Sequence, residues 1–314
     1  TRDRPECLRR ALESLRRQVP SPEEILVVEN APARPLGSRG IFDSFPEVVH
    51  ILEPAEGLDF ARNRALACAT RDIVAFLDDD AVAEPGWAGA LAGAFEGEPS
   101  VAVCTGDVRP LCLETEGQRL FEANGGFGRR RERVRLPADG RRLLGRLPAP
   151  RIAWAVSIGC GASFAVRREI ALRLGGFDEA LDLGPVLPGG GDHDMVWRAI
   201  EAGYDVVHEP RALALHEHRR ERSEACRQIV GHQKALGALL GKSVRRSRGS
   251  RRAGVALFLA WRLAKPGFRL IRRLLGRDPL PARTLLDMWV GCWQGFTTYE
   301  RCVAIARARR GGEV

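Results

Sequence analysis

The sequence predicts an α/β fold, and two observations carry that prediction. Strand-like apolar segments alternate with helical ones through the first 80 of the 314 residues, a rhythm typical of a doubly wound, mostly parallel sheet. A wholly apolar run, residues 73–77, then leads directly into Asp78, Asp79 and Asp80. Such a run suits a strand buried on both faces, and open α/β sheets bind ligands beyond the carboxyl ends of their strands. We therefore expect a functional site at the three carboxylates.

The individual elements follow from local patterns along the chain. Pro5 precedes apolar residues spaced as on one face of a helix, so residues 5–18 are predicted to be helical. A βα fold places a strand before such a helix, so either a first strand is missing or the sheet begins near Ile25. The other predicted elements are strands at 25–29, 48–52, 72–77, 101–106, 206–208 and 212–215, a glycine-interrupted strand pattern at 154–166, and helices at 58–69, after Pro85, at 168–174 and at 193–202. Residues 109–150, rich in Gly, Pro and Arg, are expected to form a loop or lid.

The charge is distributed unevenly between two parts of the chain. Residues 1–218 hold 27 Lys and Arg against 34 Asp and Glu, a net charge of −7, whereas residues 219–314 hold 22 against 6, a net charge of +16. A basic tail beside an acidic domain favours an anionic surface as a partner. Nucleic acid is disfavoured because no recognised nucleic-acid module accompanies the charge. Eight cysteines without a CxxC pair are typical of a reduced, cytoplasmic protein.

The basic tail is predicted to be helical and amphipathic. Its Arg and Lys residues are interleaved with Trp261, Phe268 and Ile271. Such a segment is expected to lie peripherally on the inner face of the cell membrane, with Pro266 breaking it into two pieces. Residues 245–252 are predicted to form a linker. An equally open alternative is a helical appendage that packs on the catalytic domain or on a second subunit.

The three adjacent carboxylates indicate a cation site. Three neighbouring anions repel one another unless a cation or hydrogen-bond donors compensate them. Oxygen ligands favour a hard ion, Mg²⁺ or Mn²⁺, which usually binds through one or two carboxylates together with substrate phosphates. The alternative is a solvated acidic turn that caps the following helix.

Seven short motifs occur in order over roughly residues 1–218. They are Thr1-Arg2-Asp3-Arg4-Pro5, Val27-Val28-Glu29-Asn30, Gly57-Leu58-Asp59-Phe60-Ala61-Arg62-Asn63, Phe76-Leu77-Asp78-Asp79-Asp80-Ala81, Gly161-Ala162-Ser163-Phe164-Ala165-Val166-Arg167-Arg168, Gly175-Gly176-Phe177-Asp178-Glu179 and Gly191-Asp192-His193-Asp194. Each motif alone is weak, but the ordered set resembles the inverting family 2 glycosyltransferases with the GT-A fold. The resemblance implies a GT-A domain over residues 1–218, whose first strand is missing, and a helical basic region over residues 219–314.

The resemblance also implies an activity and a donor site. The activity is metal-dependent, inverting transfer of a sugar from a nucleotide-diphosphate sugar to a glycan, lipid-linked or small-molecule acceptor. Asp80 would ligate the Mg²⁺ or Mn²⁺ that bridges the diphosphate, and His216 would complete the metal shell, with His218 as the alternative. The residues that match nucleotide-sugar-binding positions of the family are Thr1, Glu29, Asp59, Arg62, Asp78 and Asp79.

Inverting transfer requires a base that removes the proton of the acceptor hydroxyl. Asp192 matches the Asp of the family's Glu-Asp pair, at the start of a helix, and Asp194 is the second candidate. The sequence departs from the family at Gly191, where a Glu is usual. Asp192 also suits an N-cap position, and the two roles are compatible. His193 is interpreted as a residue of the helix surface.

Two other functions are compatible with these residues. A degenerate GT-A domain could act as a sugar-binding or assembly subunit, which Gly191 and the missing first strand favour. A nucleotidyltransferase shares carboxylates at strand ends, but no glycine-rich phosphate loop with Arg or Lys follows the first strand position.

Overall fold

The computed structural model describes residues 1–127, 131–136 and 150–311. Its strands are β1 (Ile25–Asn30), β2 (Val48–Glu53), β3 (Ile73–Leu77), β4 (Ala81–Ala83), β5 (Val101–Pro110), β6 (Val134–Leu136), β7 (Ser163–Arg167) and β8 (Asp205–His216). Its helices are α1 (Pro5–Arg16), α2 (Leu58–Cys68), α3 (Trp87–Gly93), α4 (Glu116–Ala123), α5 (Arg151–Ile158), α6 (Arg168–Arg173), α7 (Gly191–Glu201), α8 (Arg222–Arg246), α9 (Gly249–Leu274) and α10 (Ala282–Gly311). The predicted α/β class is confirmed.

The strands form two hydrogen-bonded sheets. β1 and β2 pair in parallel, and the second sheet has the order β3-β7-β5-β8-β4 with β6 also paired to β8. Within that sheet β5 and β8 are parallel, whereas β7 is antiparallel to β3 and β5, and β8 is antiparallel to β4 and β6. The expected parallel pairing therefore applies to β1–β2 and β5–β8. Apolar patterns carry no information on strand direction, which the connections decide.

The sheet positions the carboxylates beside the end of β8. β3 ends at Leu77, and β4 begins again at Ala81 after the three aspartates. Ala81 pairs with His216 across β4 and β8, and the backbone N–H of Glu217 donates to the carbonyl of Asp80 at 2.8 Å. This register places His216 next to the Asp triplet, although the two segments are far apart in sequence.

Thr1 is also held by the sheet. Its amino group donates to the carbonyl of Val28 at 2.9 Å, and its carbonyl accepts from the N–H of Asn30 at 2.9 Å. These two bonds flank Glu29 in the pattern of a parallel bridge. The backbone of Thr1 therefore lies alongside the carboxyl end of β1.

The tail helices share the core of the sheet. The largest buried cluster joins Phe164 of β7 and Met195 of α7 with Leu236 and Leu239 of α8 and Phe258 of α9. The tail thus packs on the α/β region, which was one of the alternatives for it. None of the described helices is long and apolar enough to cross a membrane.

Two predicted segments differ from the structure, and a third is described only in part. The strand pattern at 154–166 is the helix α5 followed by β7, because Ile152, Ala155 and Ile158 recur at helical spacing and are buried together. The linker at 245–252 is only a short break, since α8 runs to Arg246 and α9 begins at Gly249. Parts of the predicted loop at 109–150 lie outside the described residues.

Pro266 does not divide the tail helix as expected. α9 continues through it from Gly249 to Leu274. Proline removes one backbone hydrogen bond from a helix, but packing on neighbouring elements can hold the helix together. Pro266 is itself buried, and α9 packs against α8 and α10.

Candidate active site

Asp78, Asp80 and His216 form a group suited to a metal ion. One donor atom from each side chain lies within 4.8 Å of the others. The Nε2 atom of His216 is 3.2 Å from Oδ1 of Asp80. Two carboxylate oxygens and an imidazole nitrogen are a donor set that Mn²⁺ or Mg²⁺ can use, with further positions for phosphate oxygens. The residues present therefore fit the expected divalent cation.

The environment keeps Asp80 ionised. Burial alone would raise the pKa of Asp80, but its hydrogen bond with His216 and the charges of His216 and Arg4 bring that pKa to about 2. The carboxyl of Asp78 differs, because burial and the nearby Asp80 raise its pKa while Arg62 opposes them. A cation at this position would favour the charged form of both carboxyls.

A chain of hydrogen bonds extends behind His216. Its Nδ1 atom lies 3.1 Å from Nδ1 of His218, and Nε2 of His218 lies 2.9 Å from Oε1 of Glu122. One assignment of protons satisfies both hydrogen bonds of this series. His216 donates through Nδ1 to His218, and His218 donates through Nε2 to Glu122, so a cation at the site would bind Nε2 of His216 in place of the proton that Asp80 accepts. His218 is therefore an outer partner that orients His216, and it is not part of the donor group itself.

Thr1 and Arg4 bind the middle and last carboxylates of the triplet. The hydroxyl of Thr1 donates to Oδ2 of Asp79 at 2.6 Å. Arg4 lies 2.8 Å from Asp80 and 3.2 Å from Asp79 through the same Nη1 atom. Arg4 was not among the predicted site residues, although it lies in the first motif. Its contact with the triplet spans more than 70 residues and had no local signal.

Arg62 lies at the centre of a group of buried carboxylates. It donates to Oδ1 of Asp59 at 3.0 Å and lies 3.7 Å from Oδ2 of Asp182. Burial opposes its charge, but Asp59, Asp182, Asp192 and Asp78 raise the pKa of Arg62. Burial raises the pKa of Asp182 to about 7 against the effect of Arg62. Asp182 was missed by sequence reasoning because its contact with Arg62 is purely tertiary.

Glycine at position 191 makes room for Asp59. A Cβ atom added to Gly191 would lie 1.9 Å from Oδ2 of Asp59, which is too close for any side chain without movement. Asp59 is fully buried, and its Oδ2 has no hydrogen-bond partner among the described residues. Burial raises the pKa of Asp59 well above its usual value. The volume next to Asp192 that a glutamate would enter in the family pattern is therefore filled here by the Asp59 carboxyl.

Asp192 and His193 form a pair at the start of α7. Nδ1 of His193 is 2.9 Å from Oδ1 of Asp192. Burial would raise the pKa of Asp192, but His193 and Arg62 outweigh it and lower that pKa. Burial would lower the pKa of His193, and Asp192 instead raises it. The interpretation of His193 as a surface residue was wrong, because its ring lies over Gly159 and lines the cavity described below.

Asp194 faces away from this pair. Its carboxylate accepts from Nζ of Lys242 at 2.5 Å and from Nε of Arg198 at 2.6 Å, and it is fully buried. Lys242, in turn, also contacts Asp178 at 2.5 Å. Asp194 thus ties α7 to α8 through a buried ion-pair network. Residues two apart on a helix point in different directions, which explains the separation.

Glu29 is buried near the carboxyl end of β1. Its two carboxylate oxygens accept from the backbone N–H of Leu36 at 2.9 and 3.0 Å, and Oε2 is 2.8 Å from Nε2 of His50. The side chain is fully buried. In this arrangement Glu29 holds the loop after β1.

A cavity of about 1840 Å³ connects the predicted site residues. Its wall includes the metal-binding group, the Asp192–His193 pair and the polar residues Thr1, Arg4, Arg62, Asp79 and Asp182. Glu29, Asp59 and Asp194 are not among the described residues of that wall. The structure therefore places six of the eight predicted donor-side residues on one surface with Asp192, namely Thr1, Arg62, the three aspartates and His216.

Comparisons with known proteins identify the family of the chain. The model of glycosyl transferase family 2 matches residues 1–175. A pre-mycofactocin glycosyltransferase of Mycobacterium tuberculosis is 32% identical over 216 residues, which are 68% of this chain and 40% of that protein. A glucosyl-dolichyl phosphate glucuronosyltransferase of Haloferax volcanii is 24% identical over 192 residues, which are 56% of this chain and 52% of that protein. The chain thus spans about half or less of the length of these relatives.

A solved structure shows the same fold. The mannosyltransferase PcManGT from Pyrobaculum calidifontis, in complex with GDP-Man and Mn²⁺, aligns with a TM-score of 0.54 at 17% identity and covers 100% of this chain and 86% of that one. The family match covers more than half of the chain, and the fold match covers all of it. The chain therefore belongs to glycosyl transferase family 2 and has the GT-A type of α/β fold.

Proposed function

We propose that this enzyme transfers a sugar from a nucleotide-diphosphate sugar to an acceptor hydroxyl with inversion at the anomeric carbon. The observation that carries the proposal is the convergence of a hard-cation donor group and a separate carboxylate–imidazole pair on one cavity. Asp78, Asp80 and His216 would hold Mn²⁺ or Mg²⁺, and Asp192 would act on the acceptor. When bound, the cation supplies positive charge that stabilises the leaving diphosphate.

The chain's own residues would hold the donor around that group. Thr1 and Asp79 are hydrogen-bonded to each other at the cavity wall and offer polar contacts to the nucleotide. Arg62 presents a fixed, buried positive charge between the metal-binding group and Asp192. Glu29 and Asp59 would act from behind the wall, by fixing the loop after β1 and by orienting Arg62.

Asp192 would serve as the base through Oδ2. Oδ1 is hydrogen-bonded with His193, while Oδ2 lies next to Gly161, at 3.4 Å from a Cβ placed there, with Nη2 of Arg62 beside the same position. The pair with His193 keeps Asp192 ionised, which is the form that accepts a proton. His193 fixes the orientation of the carboxylate toward the acceptor hydroxyl.

The donor proposal predicts metal-dependent hydrolysis of a nucleotide sugar. Many transferases release their sugar slowly to water when the acceptor is absent, so a panel of UDP-, GDP- and dTDP-sugars should contain at least one that is hydrolysed. We expect hydrolysis with Mn²⁺ and its loss with a chelator, measured by release of the nucleoside diphosphate. Tight binding of one donor without any turnover, with or without acceptor mixtures, would support the alternative of a degenerate sugar-binding subunit.

We also propose that the tail places the enzyme on an anionic membrane surface. α9 and α10 each leave apolar side chains exposed, with Trp261 at 52%, Phe268 at 65% and Trp293 at 56%. The complete exposed set on these helices and just after α9 is Leu257, Trp261, Phe268, Ile271, Leu274, Leu275, Leu286, Trp289, Val290 and Trp293. Arg272, Arg273 and Arg277 are exposed beside the end of α9. Apolar residues with flanking cations match an anionic bilayer interface, where each basic residue contributes about 1 kcal/mol.

This proposal predicts salt-sensitive binding of the full chain to vesicles. In co-sedimentation, vesicles of phosphatidylglycerol and phosphatidylcholine should bind the protein at low salt, and pure phosphatidylcholine should bind it less. Phe268→Ser should reduce binding severalfold, because it removes an exposed apolar side chain from the interface. Leu172→Ser, at an exposed position of α6, is the matched control and should have no effect. Equal sedimentation of both variants, or none by the wild type, would contradict the proposal.

A further inference from the structure

Three basic side chains of α9 line the active-site cavity, namely Arg262, Lys265 and Arg269. Arg262 and Lys265 belong to the same cavity wall as Asp192 and His193. The charge of Arg262 also acts on His193, since it is among the influences that lower the pKa of that histidine. Both cations lie beside the ring of Trp261, at 5.7 Å for Arg262 and 5.3 Å for Lys265. We call Arg262 and Lys265 the cationic arm of the cavity.

Among the described residues the cationic arm has no negative partner. Neither side chain forms an ion pair with any residue in the ranges 1–127, 131–136 and 150–311. Arg262 donates through Nη2 to Oε1 of Gln233 at 2.5 Å, while its buried Nε has no hydrogen-bond partner among those residues. Arg269, one turn further along α9, differs because Asp278 binds it at 2.7 and 2.8 Å and Asn124 at 2.6 Å.

The surroundings of the arm are unfavourable for positive charge. Burial lowers the pKa of Arg262 to about 10. Burial, followed by the charges of Arg262 and Arg269, lowers the pKa of Lys265 to about 8. Buried charges are normally paired, and an unpaired buried guanidinium nitrogen is costly to keep. An anion that enters the cavity would satisfy both groups at once, in the way that Arg binds phosphate.

The same cavity wall also carries apolar side chains. They include Ile229, Leu236, Pro266 and Met288, beside polar residues of α8. A ligand that matched both properties would carry an anionic group next to a hydrocarbon portion. Trp261 and Phe268 are exposed on the same helix and line a second, smaller cavity together with Lys265.

We propose that the cationic arm binds a phosphate monoester group of an amphiphilic acceptor and so places the acceptor at Asp192. The inference rests on the proposed function, since it assigns the acceptor side of the same site. The donor diphosphate belongs to the metal-binding group, so the phosphate recognised by Arg262 and Lys265 is a second one. A lipid-linked phosphate and a soluble phosphate ester share this chemistry, and the apolar wall distinguishes them.

The test is a calorimetric titration of the full chain with octyl phosphate. UDP or GDP, whichever binds with Mn²⁺, is present at saturation so that the donor site is filled. We expect octyl phosphate to bind at least about tenfold more tightly than neutral octyl glucoside, and more tightly than inorganic phosphate. Arg262→Met and Lys265→Met should each weaken octyl phosphate about tenfold or more, because each removes a charge-assisted contact. Arg252→Met, which removes an exposed positive charge from the same helix, is the matched control.

The outcomes separate this inference from the proposed function. If the nucleotide binds with Mn²⁺ but octyl phosphate binds no better than octyl glucoside, the arm does not recognise phosphate and the inference is wrong. If the control variant weakens octyl phosphate as much as Arg262→Met, the effect is general electrostatics and the inference is also wrong. If no nucleotide binds with Mn²⁺, the donor proposal itself fails. Tighter binding of inorganic phosphate than of octyl phosphate would assign the arm to a soluble ester and overturn the amphiphilic acceptor. If Arg262→Met folds poorly, the octyl phosphate affinity of Lys265→Met decides the question.

Discussion

Replacing Asp192 by asparagine is expected to lower the rate of sugar transfer by about 10²–10⁴-fold, the range typical of a lost general base. Donor affinity should change little, because the base acts on the acceptor proton and the donor is bound by other groups. Asparagine keeps the size of the side chain and can still hydrogen-bond with His193, so the fold should be retained. The measurement is single-turnover transfer with the identified donor, together with calorimetric binding of the nucleoside diphosphate.

Asp194→Asn is the informative comparison for that variant. It removes charge from a buried network with Lys242 and Arg198, so a loss of thermal stability is expected. Breaking a buried ion pair typically costs about 3–5 kcal/mol, and the contact that Lys242 keeps with Asp178 should reduce the loss here. Transfer per folded molecule should stay far above that of Asp192→Asn. The opposite result, with normal turnover for Asp192→Asn and loss for Asp194→Asn, would assign the base to Asp194.

Asp80→Asn is expected to abolish metal-dependent binding of the nucleoside diphosphate. Asparagine preserves the shape of the side chain but removes a negative charge that favours binding of a divalent cation. The donor group would then contain one anionic ligand, Asp78, instead of two. The loss in Mn²⁺ affinity should exceed the roughly 10–100-fold change seen when an outer partner of a metal ligand is removed. Calorimetric titration of the nucleotide with and without Mn²⁺ measures this directly, without any need for the acceptor.

Two variants of His218 are expected to lower the Mn²⁺ affinity to different extents in the same titration. His218→Phe removes the acceptor of the Nδ1 hydrogen bond of His216, so Mn²⁺ affinity should fall about 10–100-fold. His218→Gln can still accept from His216 and donate to Glu122, so it should restore most of that affinity. Equal nucleotide affinity in all of these proteins, with and without Mn²⁺, would show that this group holds no metal used for donor binding.

Gly191 stands where the family usually has a glutamate, and the structure shows what occupies the neighbouring volume. The missing glutamate of the family pattern suggested a degenerate enzyme, yet the carboxyl of Asp59 fills the neighbouring volume and touches the position of a Cβ at residue 191. The site therefore keeps two carboxyls near Arg62, those of Asp59 and Asp192. In this chain the second carboxyl near the proposed base comes from α2 instead of from the residue before Asp192.

Much of the fold followed from local patterns. The helix at the start, the strands β1 to β3 and the carboxylates after Leu77 were predicted from runs of about five to twelve residues, because burial periodicity and proline position act over that range. The wrong predictions also come from relying on local patterns alone. Residues 154–166 contain apolar and small residues that suit either a strand or a helix, and only the packing of Ile152 and Ile158 in the core decides for a helix.

What the sequence by itself determined was the alternation of strands and helices, the Asp triplet at a strand end and the ordered motifs of the family. The tertiary structure alone decided which of Asp192 and Asp194 faces the cavity, that His218 lies behind His216, and that Arg262 and Lys265 enter the site from the tail. The reason is physical. Periodicity and capping are local, whereas these arrangements depend on contacts between residues tens to hundreds of positions apart, which form only when the sheet and the tail helices share one core.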